Sequence, residues 1–412
     1  MTDDITLRSP APDELRQFLE PLQAAFAAEF SEGEFQAERA LLEADRMVNA
    51  FDREDRRIGS AAAFTMQLSV PGGEVEVSAI TSVGVSPDQR RRGVLRRMLT
   101  WLLDDARAHE EAIAILWASE AAIYQRFGFG AATLGTSFEV DRSRIAFNAP
   151  ILPRDGIQFR LMTIDETMAV APPIYEAVRP QVPGSVVRSE ARWRLILSDE
   201  EWMRRGNGPT YRAAIEVDGE PRGYAIYRVK SDWSARGPQS TLLIVELVAL
   251  DPEAEQRLWQ WICSIDLVGS IHGWRGPLPH PLQLWLQEPR RLGLTVGDGL
   301  WLRFVDVATA LAARTYAREG RLVLEVEDPL IEANAGRWQL AVDVAGAATV
   351  TRTTAEPDLT LDVGTLACAY LGAHRFGDLA RAGRVRASDP NALQAADVLF
   401  TTSRTPFSNT MF

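Results

Sequence analysis

The stretch VGVSPDQRRRGVLR, residues 83–96, decides how the first third of the chain folds. Residues 81–85 predict a β-strand that ends at Ser86-Pro87, where a proline favours a turn into a helix. Apolar side chains at three- and four-residue steps in 94–108 predict an amphipathic helix, and the apolar run 113–117 predicts a buried strand. The order strand, turn, helix, strand is that of a βαβ unit.

The turn between the first strand and the helix has the composition of an anion site. A helix N-terminus offers free backbone N–H groups and a positive dipole end, and Gly93 permits a ligand to approach closely. Arg90, Arg91 and Arg92 add positive charge where a pyrophosphate needs it. Two interpretations remain open from this stretch alone: a pyrophosphate site, or a solvated arginine cluster that opens a surface helix.

The region before the turn mixes helical and strand signals. Apolar residues at helical spacing predict an amphipathic helix between Asp13 and Ala50, and two strand-like segments flanking Pro71-Gly72-Gly73 predict a hairpin. The segment 148–154, with Pro150 and Pro153, predicts a linker.

A second region repeats the strand, X-Pro, helix order of the first. Strands are predicted at 213–217, 223–229 and 242–250, and the last of them runs into Asp251-Pro252 and a helix over 254–265. Glu253 and Glu255 stand where the first region has arginines, and their charge would repel a pyrophosphate. We interpret this region as a degenerate internal duplication that has lost the anion site.

The last part of the chain has another organisation. Alternating patterns predict strands at 321–327, 338–344 and 359–363, and helices are predicted at 363–372 and 390–400. Strands followed by helices favour an α+β domain. The chain of 412 residues therefore divides into three predicted domains, 1–150, 151–297 and 298–412, with a mixed α/β and α+β fold.

Composition excludes several classes of function. A net charge of -12 argues against nucleic-acid or anionic-membrane binding and favours cationic partners. No apolar run approaches the length of a membrane span, and the acidic N-terminus is unlike a secretory signal, so we expect a cytoplasmic protein. The two cysteines and four histidines are scattered, and we predict neither a disulfide framework nor a metal site.

Arg90-x-x-Gly93 after a strand, with Tyr124-x-x-Phe127-Gly128-Phe129 downstream, resembles the GNAT superfamily of N-acetyltransferases. Leu95 replaces the last small residue of the superfamily motif, as in the Eis-like branch (enhanced intracellular survival). The resemblance covers essentially the whole chain. It implies two tandem GNAT-like domains, the second degenerate, followed by an α+β domain similar to sterol carrier proteins that begins near 298–307.

The resemblance implies acetyl-CoA as co-substrate and assigns roles to individual residues. Tyr124 would be the general acid that protonates the departing thiolate, which suits a phenol of pKa about 10. The α-carboxylate of Phe412, at the end of a tail entering the active site, would be the general base. Contacts with acetyl-CoA are implied for Val83, Gly84, Val85, Arg90, Arg91, Arg92, Gly93, Val94, Leu95, Arg96, Ser119 and Glu120.

The implied substrates are amines, foremost polyamines of the aminoglycoside type, and the implied assembly is a homohexamer. Glu29, Glu32 and Glu34, near Phe26, are candidate cavity residues, although a solvated acidic helix face explains them equally. Met411 provides no acidic contact for a cation. Two alternatives remain: a protein lysine or N-terminal acetyltransferase with the same turn, and a non-enzymatic lipid-binding protein based on the third domain.

Overall fold

The protein is described by a computed structural model that covers residues 4–148, 154–235 and 237–412. Most of the predicted linker, residues 149–153, lies outside the described residues. The chain groups into two compact units: the first comprises residues up to Thr133, Leu300–Arg404 and Thr410–Phe412, and the second comprises Leu134–Gly299 and Thr405–Asn409.

The helices and strands follow one another in three stretches of the chain. Up to Thr133 they are β1 (Thr6–Arg8), α1 (Glu20–Phe26), α2 (Glu32–Arg39), β2 (Met47–Phe51), β3 (Arg57–Val70), β4 (Gly73–Val85), α3 (Val94–Ala108), β5 (Ile113–Trp117), α4 (Ala121–Gln125) and β6 (Gly130–Ala131). From Leu134 to Gly299 they are β7 (Leu134–Asp141), β8 (Ile157–Leu161), α5 (Ile164–Val178), α6 (Glu190–Leu197), α7 (Glu201–Arg204), β9 (Thr210–Val217), β10 (Glu220–Lys230), β11 (Trp233–Ser234), β12 (Gly237–Pro238), β13 (Ser240–Ala249), α8 (Pro252–Ser264), β14 (Val268–Gly276), α9 (Leu282–Trp285) and β15 (Thr295–Asp298). The remaining elements are β16 (Leu300–Phe304), α10 (Val307–Ala312), β17 (Gly320–Glu327), β18 (Gly336–Val342), β19 (Ala348–Arg352), β20 (Leu359–Asp362), α11 (Val363–Tyr370), α12 (Phe376–Arg381), β21 (Val385–Ala387) and α13 (Pro390–Phe400).

The larger sheet of the first unit has the strand order β1-β2-β3-β4-β5-β16-β6. Only β4 and β5 pair in parallel; the other neighbours are antiparallel. The predicted amphipathic helix is α3, and its buried stripe packs against this sheet. The stripe consists of Val94, Met98, Leu99, Leu102, Leu103 and Ala106. The predicted hairpin at 71–73 is confirmed, because Val70 pairs with Gly73.

The predicted long helix between Asp13 and Ala50 is wrong in extent. α1 ends at Ala27, whose φ of 50° is left-handed and stops the helix. α2 begins at Ser31, whose side chain forms a capping box with Glu34, and residues 47–51 are the buried strand β2. Local caps therefore interrupt an apolar periodicity that by itself predicts one continuous element.

A second sheet of the first unit has the order β19-β18-β17-β20-β21, and the predicted helices α11 and α13 follow its strands. β16 lies at the start of the predicted last domain, and it pairs with β5 along five residues of the larger sheet. All five of its residues are buried, which is typical of an internal strand. The mixed α+β character predicted for the chain is confirmed.

The second unit is built on the sheet β15-β7-β14-β13-β10-β9-β8, in which β13 and β14 pair in parallel. The predicted strand, Asp251-Pro252, helix order is confirmed, and α8 packs its buried residues Leu258, Trp259 and Ile262 into the core of this unit. β7 precedes residue 150 in sequence but pairs with β14 and β15 of this sheet.

No helix in the described ranges is long and apolar enough to cross a membrane.

A fully buried ion pair connects β16 to the loop after β17. Arg303 donates from Nη2 to both carboxylate oxygens of Asp328 at 2.7 and 2.8 Å, and neither side chain is exposed to solvent. Asp328 also accepts hydrogen bonds from the Asn334 side chain and from the backbone N–H groups of Leu330 and Ile331. These bonds satisfy a charge that would otherwise be costly to bury.

We expect Asp328→Ala to lower the free energy of unfolding by about 3–5 kcal/mol, because it leaves Arg303 buried without a counter-charge. Urea unfolding followed by circular dichroism measures this loss. The neighbouring Glu327 pairs with Arg386 on the surface, at 64% and 78% side-chain exposure, so Glu327→Ala is the matched control and should unfold close to the wild-type midpoint. Equal urea midpoints for the two variants would contradict the structural role of the ion pair between Arg303 and Asp328.

Candidate functional site

The parallel strands β4 and β5 separate after a short paired segment. Val77–Ala79 pairs with Ile113–Ile115, and no further pairing between these strands follows in the described residues. β4 continues to Val85 beside β3, with a bulge opposite Ser60–Ala62 and a left-handed Ser82 at φ 51°. The edge of β4 that faces β5 is therefore open over its last residues, at the carboxyl end where α/β sheets bind ligands.

The turn after β4 leads into α3 with an uncapped helix N-terminus. Arg91 and Gly93 have positive φ angles of 64° and 84°, and Gly93 is the N-cap residue of α3. No side chain caps this helix, and its first turn has no acidic residue. A Cβ on Gly93 would meet nothing within 4 Å, so open space lies beside this residue at the start of the helix, where the N–H groups of the first turn lack intrahelical partners.

A cavity of about 820 Å³ occupies this opening. It is lined by Ala25, Phe26, Val83, Gly84, Val85, Gln89, Arg90, Arg91, Gly93, Val94, Leu95, Arg96, Ser119, Glu120, Ile123, Tyr124, Arg126 and Phe127. The structure thus brings together eleven of the twelve residues that the resemblance assigns to the co-substrate. Arg92, the twelfth, donates a hydrogen bond to the Gln89 side chain and so braces the turn.

Tyr124 lines the cavity and lies on α4, the short helix that follows β5. Its ring is buried and packs edge-on against Phe129, with 5.9 Å between ring centroids. Burial raises the pKa of the phenol above its ordinary value, while a hydrogen bond with Ser119 lowers the pKa and the charge of Glu120 raises it. The phenol is therefore a protonated donor at neutral pH.

The end of the chain is attached near the same strand. The Trp117 indole, at the last residue of β5, donates to the carbonyl oxygen of Thr410 at 2.9 Å. Thr410 is buried and Phe412 partly buried, while Met411 is 49% exposed.

Helix α1 contributes to the cavity wall, and the sequence motif of the arginine turn does not predict this contribution. A Cβ on Gly84 would lie 2.6 Å from the Cα of Leu22, so β4 and α1 approach as closely as a glycine permits. This contact brings Ala25 and Phe26 to the cavity wall. A glycine inside a predicted strand is a signal of close backbone approach, although it does not identify the partner.

The three acidic residues suggested for the cavity, Glu29, Glu32 and Glu34, are not among the residues that line it, and two of them have other contacts. Glu34 accepts a hydrogen bond from the backbone of Ser31 in the capping box of α2. Glu32 pairs with Arg16 and accepts a hydrogen bond from Gln36. Glu120 is an acidic side chain that does line the cavity.

The corresponding helix of the second unit, α8, has the opposite arrangement at its N-terminus. The Asp251 carboxylate caps α8 by accepting from the Ala254 N–H at 2.9 Å, and it binds Arg222 at 2.8 Å. Glu253 and Glu255 lie in the first turn. The chain's own carboxylate thus binds an N–H group that an external anion would need. The sequence predicts the loss of the anion site here from Glu253 and Glu255, whereas the cap formed by Asp251 is seen only in the structure.

Comparison with known proteins agrees with this geometry. Residues 6–132 and 184–304 each match an acetyltransferase (GNAT) domain family, and residues 307–409 match a sterol carrier protein domain family. An uncharacterized N-acetyltransferase of Streptomyces avermitilis is 38% identical over 99% of both chains. N-acetyltransferase Eis of Mycobacterium tuberculosis is 33% identical over 96% of both chains. The crystal structure of Eis1 from Mycobacterium abscessus has a TM-score of 0.83 at 32% identity and covers 99% of this chain and 100% of its own.

We expect Gly84→Ala to lower the free energy of unfolding by about 1–3 kcal/mol, because the added methyl must displace the backbone of α1. Gly73→Ala is the matched control on the same strand, since a Cβ there meets only the carbonyl oxygen of Ala313 at 3.7 Å. Thermal unfolding of both variants tests the expectation. A Gly84→Ala protein as stable as Gly73→Ala would show that α1 does not pack this closely.

Proposed function

Because the chain belongs to the Eis-like N-acetyltransferases of the GNAT superfamily, we propose that it transfers the acetyl group of acetyl-CoA to amines bound beside Tyr124. The observation that carries the proposal is the cavity that joins the open edge of β4, the uncapped N-terminus of α3 and the Tyr124 phenol. Acetyl-CoA supplies an activated thioester, and the chain's own residues bind it and move the protons.

The residues that line the cavity suit the parts of acetyl-CoA. The free N–H groups at the start of α3 and the guanidinium groups of Arg90 and Arg91 provide donors and positive charge for the pyrophosphate. Val83 and Val85 lie on the open strand edge, where the amide groups of a pantetheine arm can pair with unpaired backbone. Gly93 leaves room for the phosphates to approach the backbone.

Tyr124 is the proposed general acid. Its raised pKa keeps the proton on the phenol throughout the neutral range, and the departing thiolate needs a proton as the carbon–sulfur bond breaks. The amine nitrogen forms the new bond to the acetyl carbon, the thiolate leaves with the proton of Tyr124, and no covalent enzyme intermediate is required.

The α-carboxylate of Phe412 is the proposed general base that removes the proton from the attacking amine. The hydrogen bond between Trp117 and Thr410 supports this role, because it holds the chain two residues before its end at the strand that leads to Tyr124. A free α-carboxyl has a pKa of about 3.5, so efficient proton transfer requires partial desolvation of this group.

The proposed acceptors are small polyamines of the aminoglycoside type. A net charge of -12 favours cationic substrates, and Glu120 offers a carboxylate at the cavity wall. Steady-state assays with a kanamycin-like amine and with a lysine peptide panel separate this substrate class from protein acetylation. Release of CoA with peptides alone would overturn the aminoglycoside proposal.

A homohexamer remains a prediction from the resemblance, and a cytoplasmic location remains a prediction from the composition. The division into three domains near residues 150 and 298 is likewise a prediction. Size-exclusion chromatography with light scattering tests the hexamer.

Acetyl-CoA should bind with a stoichiometry of one per chain, because the N-terminus of α8 is occupied by Asp251. We expect Arg91→Ala to raise the dissociation constant about 10-fold, as the loss of a charge-assisted contact does. Arg222→Ala removes the partner of Asp251 at the N-terminus of α8 in the second unit, and it should leave the dissociation constant of acetyl-CoA unchanged. Isothermal titration calorimetry gives both quantities, and two sites per chain would contradict the comparison of the helix ends.

Tyr124→Phe should lower kcat by about 10²–10⁴-fold with little change in the KM for acetyl-CoA, because it removes the proton donor and keeps the ring. Since burial raises the pKa of Tyr124, the acid form is lost only when the pH rises above about 10. The wild-type profile of kcat against pH should therefore show no decline attributable to Tyr124 between about pH 6 and 9. A Tyr124→Phe enzyme with wild-type kcat would remove Tyr124 from the mechanism.

A further inference from the structure

The last residues of the second unit, 405–409, form a tail without regular secondary structure that is held at defined points. The backbone N–H of Phe407 donates to the carbonyl oxygen of Pro183 at 2.8 Å, and the Ser185 hydroxyl donates to the carbonyl oxygen of Phe407 at 3.3 Å. Ser408 is buried. Chain ends usually fray unless specific contacts tie them down, so these contacts indicate a segment with a required position.

A further holding point of the tail is built on a buried charge pair. Arg188 donates to the two carboxylate oxygens of Glu246 at 2.7 and 3.0 Å, and the side chains are only 2% and 3% exposed. The guanidinium also lies over the rings of Tyr175 and Trp193, at 4.0 and 4.6 Å from their centroids. The Tyr224 hydroxyl donates to Glu246 at 2.9 Å.

The side-chain amide of Asn409 forms hydrogen bonds with both members of this charge pair. Its Nδ2 donates to Glu246 Oε1 at 2.6 Å, and its Oδ1 accepts from Arg188 Nη2 at 3.2 Å. Each carboxylate oxygen of Glu246 then accepts two hydrogen bonds, which satisfies the buried charge. We call Arg188, Glu246 and Asn409 the tail anchor.

The charge state of the tail anchor agrees with the geometry. Burial acts to raise the pKa of Glu246, but attraction to Arg188 and hydrogen bonds from Arg188, Tyr224 and Asn409 hold the pKa below its ordinary value. The carboxylate is ionised, so it requires the donor that Asn409 provides.

The tail anchor selects one register of the tail. A shift by one residue would put Ser408 or Thr410 beside Glu246, and neither side chain can donate to the carboxylate and accept from the guanidinium with the spacing of a planar amide. A buried polar pair of this kind contributes specificity of position more than net stability. Ser408, by contrast, has a buried hydroxyl with no hydrogen-bond partner among the described residues.

The terminal carboxylate follows Asn409 within a short reach. Phe412 lies three residues after Asn409, and extended chain spans at most about 3.3–3.6 Å per residue, so the end of the chain is restricted to within about 10 Å of Asn409. A register slip of one residue would move the carboxylate by a third of that distance. Proton transfer tolerates no such displacement, since misplacement by about 1 Å costs about 100-fold in rate.

We propose that Asn409 is a positioning residue for catalysis: the tail anchor fixes the register of the tail and thereby sets the position of the Phe412 α-carboxylate. This inference rests on the proposed function, in which that carboxylate removes the amine proton. It also assigns a role to the degenerate GNAT domain, which holds no co-substrate at α8 but holds the tail.

The test compares Asn409→Ala with the matched control Ser408→Ala in the full-length enzyme. Asn409→Ala should lower kcat by about 10–100-fold while the KM for acetyl-CoA changes less than about two-fold, because the binding cavity is untouched. Asn409→Asp keeps the size of the side chain but directs a carboxylate at Glu246, and it should lower kcat at least as much. Ser408→Ala should have wild-type kcat, and thermal unfolding confirms that each variant is folded.

Deletion of Phe412 tests whether Asn409 acts through the terminal α-carboxylate. In the chain lacking Phe412, kcat should already be low, and adding Asn409→Ala should change it less than about two-fold, because two residues that act through one group are not additive. A further large loss in the double variant would show that Asn409 acts other than through the carboxylate and would overturn the inference.

Failure of the inference and failure of the proposed function give different results. Wild-type kcat in Asn409→Ala and Asn409→Asp, with a slow Phe412 deletion, overturns only the role of the tail anchor. Wild-type kcat in the Phe412 deletion overturns the carboxylate base and the positioning role with it. No release of CoA by the wild-type enzyme with any amine of the panels overturns the proposed function itself.

Discussion

The separation of β4 from β5 is the constraint on which the site depends. Parallel pairing ends at Ala79 and Ile115, and beyond it β4 presents an open edge beside a cavity. Had the two strands paired to their ends, the backbone groups of residues 80–85 would bond to β5 and the cavity would close. The bulge and the left-handed Ser82 keep β4 aligned with β3 while it departs from β5.

The two units differ in what lies at the N-terminus of the helix that follows the X-Pro turn. Both have a strand that leads through an X-Pro turn into a helix. At α3 a glycine with positive φ leaves the helix without a side-chain cap and with open space beside the glycine, whereas at α8 the Asp251 carboxylate caps the helix and pairs with Arg222. The uncapped helix end with its arginines suits an external anion, as we propose for α3, whereas the N-terminus of α8 is capped by a carboxylate of the chain itself.

Buried ion pairs mark the places where distant parts of the sequence must meet in one arrangement. Arg303 and Asp328 serve the first unit, and Arg188 with Glu246 serves the second, where Asn409 is part of the same network. Apolar contacts tolerate small shifts in register, but a satisfied charge pair does not, because a shift leaves a buried charge without a partner. The polar network thus defines the position of a segment that has no regular secondary structure.

The sequence by itself determined the βαβ order around residues 83–117, the buried stripe of α3, the arginine turn and the degenerate second copy, since each is a local pattern of spacing or charge. It did not determine the interruption of the helix between Asp13 and Ala50, the pairing of β16 with β5, or the close approach of Gly84 to Leu22. Only the tertiary structure decided these, and it also decided that Asn409 meets Arg188 and Glu246. The physical reason is that pairing between residues far apart in the chain depends on which surfaces fold against each other, and local periodicity encodes no information about that choice.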